Sequence, residues 1–301
     1  MKLLITGASG LYGSKLAKLA VTRNFEVYSG YNQDLPLYGN LVKFDISNKE
    51  LVNDVFKRVK PDVVVHAATL TDVDKCEVNK ELAWKINVEA TKNIAEAAKM
   101  TGSFLIYIST DYVFNGEKGN YSEPDKPDPI NYYGLTKLKA EELVKTQTEC
   151  CIARPSVIYG ATPAAGKVNF ALWVIDALSK GQRIKIVTDQ WNTPTLNTSL
   201  VDMTVEVIER RLTGTFHLSG ATRVSRFEFA QLIAEIFELD KSLIDPAKSA
   251  QFKWPAKRPK DSSLDTSKAH KILQNKPVEI SEALKKLKSE FSIKRSNIKA
   301  E

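Results

Sequence analysis

The run Leu3-Leu4-Ile5-Thr6-Gly7-Ala8-Ser9-Gly10-Leu11-Tyr12-Gly13 constrains this chain more than any other stretch of it. A short, wholly apolar segment suits a strand buried on both faces. Glycines in the spacing GxxGxxG follow it, and Leu11, Leu16, Leu19 and Ala20 then recur at helical spacing. Strand, glycine loop and helix in that order build a phosphate cradle. Without side chains the backbone turns tightly and comes close to a pyrophosphate, while the helix N-terminus offers unpaired N–H groups and partial positive charge. Gly13 is the position that lets the helix pack closely on the strand.

The pattern then repeats. Apolar runs at Val27-Tyr28, Val42-Phe44, Val63-Val65, Phe104-Ile108 and Cys151-Ala153 alternate with helical periodicities. Asn48 or Ser47 caps a helix that Pro61 stops, a long helix spans Glu81 to Lys99, and another runs from about Tyr133 to Thr146. Strands alternating with helices over some 150 residues predict right-handed crossovers and an α/β fold, a doubly wound parallel sheet of the Rossmann type. Beyond Pro155 the pattern loosens. Helices are expected over Phe170–Leu178, Leu200–Arg211 and Phe227–Phe237, the last with Ser225 as N-cap and Glu228 closing a capping box. Short strands are expected at Ile184–Val187 and Gly214–Leu218, and Pro246 to Ser263 reads as irregular and basic. Ser281 is expected to cap a last helix through Phe291, with the final ten residues a solvated tail. By fold analogy, residues 1–155 form a nucleotide-binding domain completed by about 184–213 and 264–301, and residues 156–183 and 214–263 form a smaller C-terminal substrate-binding lobe.

Composition narrows the function classes. With 301 residues and 43% hydrophobic content the chain can bury a substantial core. Its net charge of +7 is spread among acids, apart from Lys257-Arg258-Pro259-Lys260 and the tail from Lys294, so neither a nucleic-acid surface nor a membrane surface is expected. The three cysteines, Cys76, Cys150 and Cys151, form no CxxC pattern, and adjacent cysteines on a strand point to opposite faces. A reducing, cytoplasmic setting is expected. The N-terminal apolar run passes straight into the glycine loop, unlike a signal peptide, and no run approaches the ~20 apolar residues of a membrane span. No carboxylate cluster suggests a metal.

Tyr133-Gly134-Leu135-Thr136-Lys137 is YxxxK, which puts phenol and ammonium on one helical face. A nearby cation favours phenolate, so Lys137 is expected to lower the Tyr133 pKa toward neutrality. A tyrosine tuned in this way passes a proton to a carbonyl oxygen while hydride arrives at carbon. Ser109-Thr110-Asp111 ends the fifth strand, at the carboxyl edge where such sheets bind ligands, and Thr110 is placed to hydrogen-bond both the substrate carbonyl and the tyrosine oxygen. Thr110, Tyr133 and Lys137 are the candidate catalytic residues. The second strand ends Tyr28-Ser29-Gly30-Tyr31-Asn32, with no acid until Asp34 to repel a ribose 2′-phosphate. That favours NADPH, with NADH as the alternative.

Together these residues resemble the extended short-chain dehydrogenase/reductases, and within them the dTDP-4-dehydrorhamnose reductase family. The resemblance covers nearly the whole chain. Its carriers are Val65-His66-Ala67-Ala68-Thr69, Thr71 to Glu77, Asn87-Val88, Ser109 to Gly116, Tyr121, Glu123, Pro127, the Tyr133/Lys137 pair, Asp189-Gln190 with Pro194-Thr195, and Arg258-Pro259. The resemblance implies a cofactor site of Gly7, Ser9, Gly10, Leu11, Tyr12 and Gly13 at the pyrophosphate and Asp45 and Ile46 by the adenine. It places Ala67, Ala68, Thr69, Asn87, Tyr133 and Lys137 around the ribose and nicotinamide. It implies Thr110 and Asp111 at the sugar. Two departures border the expected sugar pocket. Val157 stands where the family usually has tryptophan, and Asn192, beside Trp191, replaces the glycine of DQxGxPT. Val157 and Trp191 are therefore taken as substrate-contacting positions.

The activity implied is NAD(P)H-dependent reduction of the C4 ketone of a nucleotide sugar, such as dTDP-4-dehydrorhamnose to dTDP-L-rhamnose. Two alternatives stand beside it. One is a nucleotide-sugar epimerase or dehydratase, although Asp111 is followed by Tyr112 rather than by the glutamate a dehydratase of this type needs. The other is an NADP-binding regulatory chain, because the β subunit of methionine adenosyltransferase is similar to these reductases. The resemblance also admits a homodimer, with no interface legible in the chain.

Overall fold

The computed structural model describes residues 1–162 and 168–298, with side chains as far as Phe291. The first half alternates strand and helix in the order β1 (Lys2–Thr6), α1 (Gly13–Thr22), β2 (Glu26–Tyr31), β3 (Asn40–Lys43), α2 (Lys49–Val59), β4 (Val63–His66), α3 (Val73–Val78), α4 (Lys80–Trp84), α5 (Ala90–Thr101), β5 (Phe104–Ile108), α6 (Tyr132–Gln147) and β6 (Cys150–Ala153). The second half contains β7 (Ile158–Tyr159), α7 (Phe170–Ser179), β8 (Ile184–Val187), β9 (Trp191–Asn192), β10 (Thr195–Leu196), α8 (Asn197–Arg210), β11 (Gly214–Phe216), β12 (Val224–Ser225), α9 (Arg226–Ile236), β13 (Ile244–Ala247), α10 (Ser267–Ile272) and α11 (Ile280–Ile298).

Seven parallel strands form one sheet in the order β11-β6-β5-β4-β1-β2-β3. The order reverses between β1 and β4, and a crevice for ligands opens at such a switch point, beyond the carboxyl ends of the strands. Alternate side chains serve opposite faces. Leu3, Ile5, Val63, Val65, Phe104 and Ile106 pack toward α1 and α8, while Leu4, Val64, Leu105 and Tyr107 pack toward α2, α5 and α6. Burial on both faces is why these strands read as unbroken apolar runs. A second core, with Tyr159, Ala171, Ile184, Phe229, Ile244 and Leu284, holds the lobe against α11.

Several boundaries differ from expectation. The stretch expected as one helix over Glu81–Lys99 contains a π turn, Lys85–Glu89, between α4 and α5. The last helix begins at Ile280, so Ser281 lies inside it, and the Ile280 amide donates instead to the Thr222 hydroxyl at 2.9 Å. It continues to Ile298, through most of what composition marked as tail; residues 299–301 lie outside the described residues. Four strand pairings cross the division expected from fold analogy, among them β7 with β10 and β9 with β12. β8 pairs with β13, which runs into the start of the segment read as irregular, and β11 joins β6 in the large sheet. Residues 163–167 of the expected lobe lie outside the described residues. The capping box at Ser225 and Glu228 forms as its spacing predicts. No described helix is long and apolar enough to cross a membrane.

Candidate active site

The glycine loop shows by contact why it needs glycine. A Cβ on Gly13 would lie 2.2 Å from the Gly7 carbonyl oxygen, so α1 could not sit this close to β1. Gly7 has φ +69°, and a Cβ there would meet the Ala68 amide nitrogen at 2.8 Å. The Gly10 amide closes the turn on the Gly7 carbonyl at 3.0 Å. Among the described residues the amides of Leu11 and Tyr12 have no acceptor, which is the unsatisfied donor pair a pyrophosphate would take. The Tyr12 phenol points the other way, to Thr204 at 3.0 Å in the interior, so only its backbone can serve a ligand. These features fit a dinucleotide.

Across the switch point, the Thr6 hydroxyl accepts the Ala67 and Ala68 amides at 3.2 and 3.3 Å and meets His66 Nδ1 at 2.7 Å. Burial drives His66 down to about 3, with the Lys137 charge adding to it, so the imidazole is neutral in the structural role it plays here. The following loop is tied down by Asn87, which the π turn aims at it. Its Oδ1 accepts from the Thr69 hydroxyl and the Leu70 amide, both at 2.8 Å, while Nδ2 donates to the Leu70 carbonyl at 3.2 Å and to Thr136 at 3.0 Å. π turns often mark functional sites in helices. Expected as a cofactor contact, Asn87 instead sits behind the wall, 1% exposed and fully partnered by protein.

A cavity of about 860 Å³ runs from this loop to the lobe. Of the expected cofactor residues, Gly7, Ser9, Gly10, Leu11, Tyr12, Gly13, Asp45, Ile46, Ala67, Ala68, Thr69 and Tyr133 line it. Of the expected substrate residues, Thr110, Asp111 and Val157 line it too. Trp191 does not. Its strand pairs with β12 and its ring lies under the Arg223 guanidinium, 5.2 Å from the ring centroid, on the lobe's own surface. Lys137 also lies behind the wall, 1% exposed.

The reactive centre gathers at the end of β5. Asn131 caps α6 by accepting the Gly134 amide at 2.8 Å, which sets Tyr133 in the first turn, beside Thr110. Thr110 donates to Asp111 Oδ1 at 3.0 Å and accepts the Tyr112 amide at 3.2 Å. Asp111 Oδ2 accepts from Ser156 at 2.9 Å and Ser262 at 2.5 Å, so its carboxylate ties the sheet edge to two later segments. Burial raises the Asp111 carboxyl above the usual range, against the pull of these three hydroxyls.

Lys137 does not lower the Tyr133 phenol as the YxxxK spacing implied. Its ammonium is turned to the Ile108 carbonyl at 2.7 Å and rests over the Tyr107 ring, 4.2 Å from the centroid. Burial dominates both groups, pushing Tyr133 well above its ordinary value and Lys137 down to about 7. The phenol is therefore protonated across the neutral range, the state a proton donor needs.

Four further groups at the site were not singled out from the sequence, although Lys75 and Tyr112 lie in segments that carry the resemblance. Tyr112 meets Tyr133 edge-on with centroids 6.1 Å apart, and Lys75 and Arg226 bring positive charge to the cavity. Glu141, buried below Lys137, accepts from Ser109 at 2.6 Å and from Arg154. The i, i+4 spacing of Lys137 and Glu141 was the one local clue to the last of these. Among the described residues no group of three or more His, Cys, Asp or Glu side chains is placed to hold a metal.

Comparison with known proteins agrees with this geometry. The family model described as the RmlD substrate binding domain matches residues 1–293. A probable low-salt glycan biosynthesis reductase, Agl14, of Haloferax volcanii is 33% identical over 97% of this chain and 99% of its own length. Methionine adenosyltransferase 2 subunit beta of Rattus norvegicus is 31% identical over 89% of this chain and 81% of its own. The crystal structure of dTDP-4-dehydrorhamnose reductase from Bacillus anthracis in complex with NADP superposes with a TM-score of 0.88 at 30% identity, covering 96% of this chain and 99% of that one.

Proposed function

The chain belongs to the family of the RmlD substrate binding domain, and from that premise we propose that it reduces the C4 ketone of a nucleotide-diphospho-sugar with NADPH, dTDP-4-dehydrorhamnose to dTDP-L-rhamnose being the leading pair. The observation that carries this reading is the placement of the Tyr133 phenol and Thr110 together on the wall of a cavity continuous with the glycine loop.

Bound at that loop, the nicotinamide supplies the hydride. The residues of the chain do the rest. The Leu11 and Tyr12 amides hold the pyrophosphate, and Thr69, kept in place by Asn87, borders the ribose and nicotinamide. Tyr133, 9% exposed, donates its proton to the oxygen that becomes the hydroxyl. Thr110 lies within reach of the same oxygen, its own proton directed at Asp111. Lys137, its ammonium on the Ile108 carbonyl, braces the strand end from which Ser109 and Thr110 follow. The end of β2 supports NADPH: its tip carries Tyr31 and Asn32, and the first acid, Asp34, stands farther along the wall.

The test is spectrophotometric. Purified protein is mixed with NADPH or NADH and dTDP-4-keto-6-deoxy-L-mannose made in situ, with Tyr133→Phe as control. Loss of reduced nicotinamide that falls about 10²- to 10⁴-fold in the variant is expected. A second reading rests on the likeness to a chain named as a subunit of another enzyme. Tight NADP binding with no oxidation of NADPH by any 4-keto nucleotide sugar would sink the reductase reading in favour of a regulatory one.

A further inference from the structure

The lobe side of the cavity carries a cation that forms no salt bridge among the described residues. Arg226 is the first residue of α9, half-buried, and lines the cavity. Its amide donates to the Gln190 carbonyl at 2.9 Å, which fixes the root of the side chain. The guanidinium lies over the Phe170 ring, 5.0 Å from the centroid, and beside the Tyr112 hydroxyl. Stacked on Phe170 and rooted by its amide, it is held against the wall rather than free in solvent.

Arg154, Arg183, Arg210, Arg223 and Arg258 each have a carboxylate within 2.8 Å. Arg226 forms no salt bridge among the described residues. The acids around it are engaged elsewhere. Glu228, on the same turn, accepts the Ser225 amide at 2.7 Å in the capping box. Asp111 accepts from the Thr110, Ser156 and Ser262 hydroxyls. A half-buried guanidinium has shed part of its water, and its planar fork of donors matches a phosphate better than any other common ligand group.

Its position relative to the reactive centre says which phosphate. Tyr133, Tyr112 and Arg226 follow one another along the wall, from the sheet edge to the lobe. A 4-keto sugar carries its diphosphate on C1, across the ring from C4. With the C4 oxygen at Tyr133, C1 and the anionic oxygens extend past Tyr112. The geometry points to Arg226 as the residue that grips the diphosphate of the sugar-nucleotide substrate. This rests on the nucleotide-sugar reading of the site. It adds that affinity comes largely from the diphosphate and that the lobe contributes it.

The test is calorimetric and needs no turnover. The full chain loaded with NADP⁺ is titrated with dTDP, UDP and thymidine, as wild type, Arg226→Ala and Arg226→Lys. Both nucleoside diphosphates should bind about 10- to 100-fold more weakly to the alanine variant, with partial recovery in the lysine variant, while NADP⁺ affinity is unchanged. Thymidine should not distinguish the proteins. Equal dTDP binding by wild type and Arg226→Ala overturns the inference, as does a wild type that binds neither diphosphate. UDP-glucose and UDP-glucuronate form a second arm. If the substitution weakens only the glucuronate, the cation reads a sugar carboxylate and the diphosphate assignment fails. A protein that binds dTDP through Arg226 yet oxidises no NADPH with 4-keto sugars would sink the reductase reading and leave this one standing.

Discussion

Glu141 and Arg154 form a two-point ion pair shut off from solvent, Nε to Oε1 at 2.8 Å and Nη2 to Oε2 at 2.7 Å. Ser109 donates to the same Oε1 at 2.6 Å, so the pair ties α6 to the strand end that presents Thr110. Removing one member leaves a buried charge uncompensated, which costs about 3–5 kcal/mol. Glu141→Gln is expected to lose that much stability by urea denaturation near neutral pH; a loss under about 1 kcal/mol would mean that the charge pairing is not what holds the two elements. The Arg154 guanidinium keeps the Glu141 carboxyl below its ordinary value. The unfolded chain takes up that proton near ~4.3. The stabilisation is therefore full above ~4.3 and is lost as pH falls through the lower folded value. Wild type and Glu141→Gln should converge in stability as the solution is acidified.

Lys137 has the opposite sign. Burial takes its pKa to about 7 in the fold, against ~10.4 in the unfolded chain. Between those values the unfolded state holds the extra proton, so stability rises with pH through the window, and below about 7 the cost of burying the charge is present in full. Lys137→Met should stabilise the fold at pH 6 by about 0.5–2 kcal/mol, with the gain shrinking toward pH 10, while catalysis collapses. Thermal melts across that range check it. A variant less stable than wild type at pH 6 would show that the bond to the Ile108 carbonyl outweighs the burial cost.

What local pattern encodes was legible before any coordinates. The glycine loop, the YxxxK helix and the Ser225–Glu228 box each depend on residues a few positions apart. Six strands of the large sheet were legible as apolar runs alternating with helices, whereas β11, expected in the lobe, joins that sheet only through its pairing with β6. What the pattern missed depends on distant residues. The start of α11 is satisfied by Thr222, far back in the chain, and the serine at position 281 was a local decoy. The π turn leaves helical periodicity almost intact, and the Asn87 side chain within it is engaged by Thr69, Leu70 and Thr136. Trp191 was placed by its neighbour in a motif, whereas strand pairing carries its ring to the lobe surface. Arg226 had no signal at all, because only folding brings the start of α9 to Tyr112.

The glycine loop allows a ranked prediction. At Gly13 a methyl group would strike backbone on two sides, 2.2 Å from the Gly7 oxygen and 2.9 Å from the Ala8 Cα, and backbone cannot yield as a side-chain tip can. At Gly10 the nearest obstacle is the Gly7 oxygen at 3.2 Å. Gly13→Ala should cost about 1–3 kcal/mol of stability and weaken NADPH binding at least about tenfold in a fluorescence titration. Gly10→Ala should be the milder of the two in stability. The reverse order would mean that close packing of α1 on β1 is not what the third glycine serves.

Val157 sits at φ 40°, a conformation that a β-branched residue rarely adopts, on the cavity wall between the sheet and the lobe. Its carbonyl accepts the Thr195 amide at 3.2 Å, which holds the strained geometry against β10. In most contexts alanine is the more stable replacement for a larger residue, because glycine adds freedom to the unfolded chain. Here the folded state reverses that order. Alanine keeps the left-handed penalty of about 1–2 kcal/mol, whereas glycine is freed of it. Val157→Gly is therefore expected to be more stable than Val157→Ala by about 1 kcal/mol in paired denaturation curves. Both variants remove the isopropyl group from the sugar side of the cavity, so both should raise KM for the keto sugar while leaving KM for NADPH close to that of the wild type. An alanine variant as stable as the glycine one would show that the backbone relaxes out of the left-handed region once the branched side chain is gone. A KM shift for NADPH instead of the sugar would move Val157 from the substrate wall to the cofactor wall.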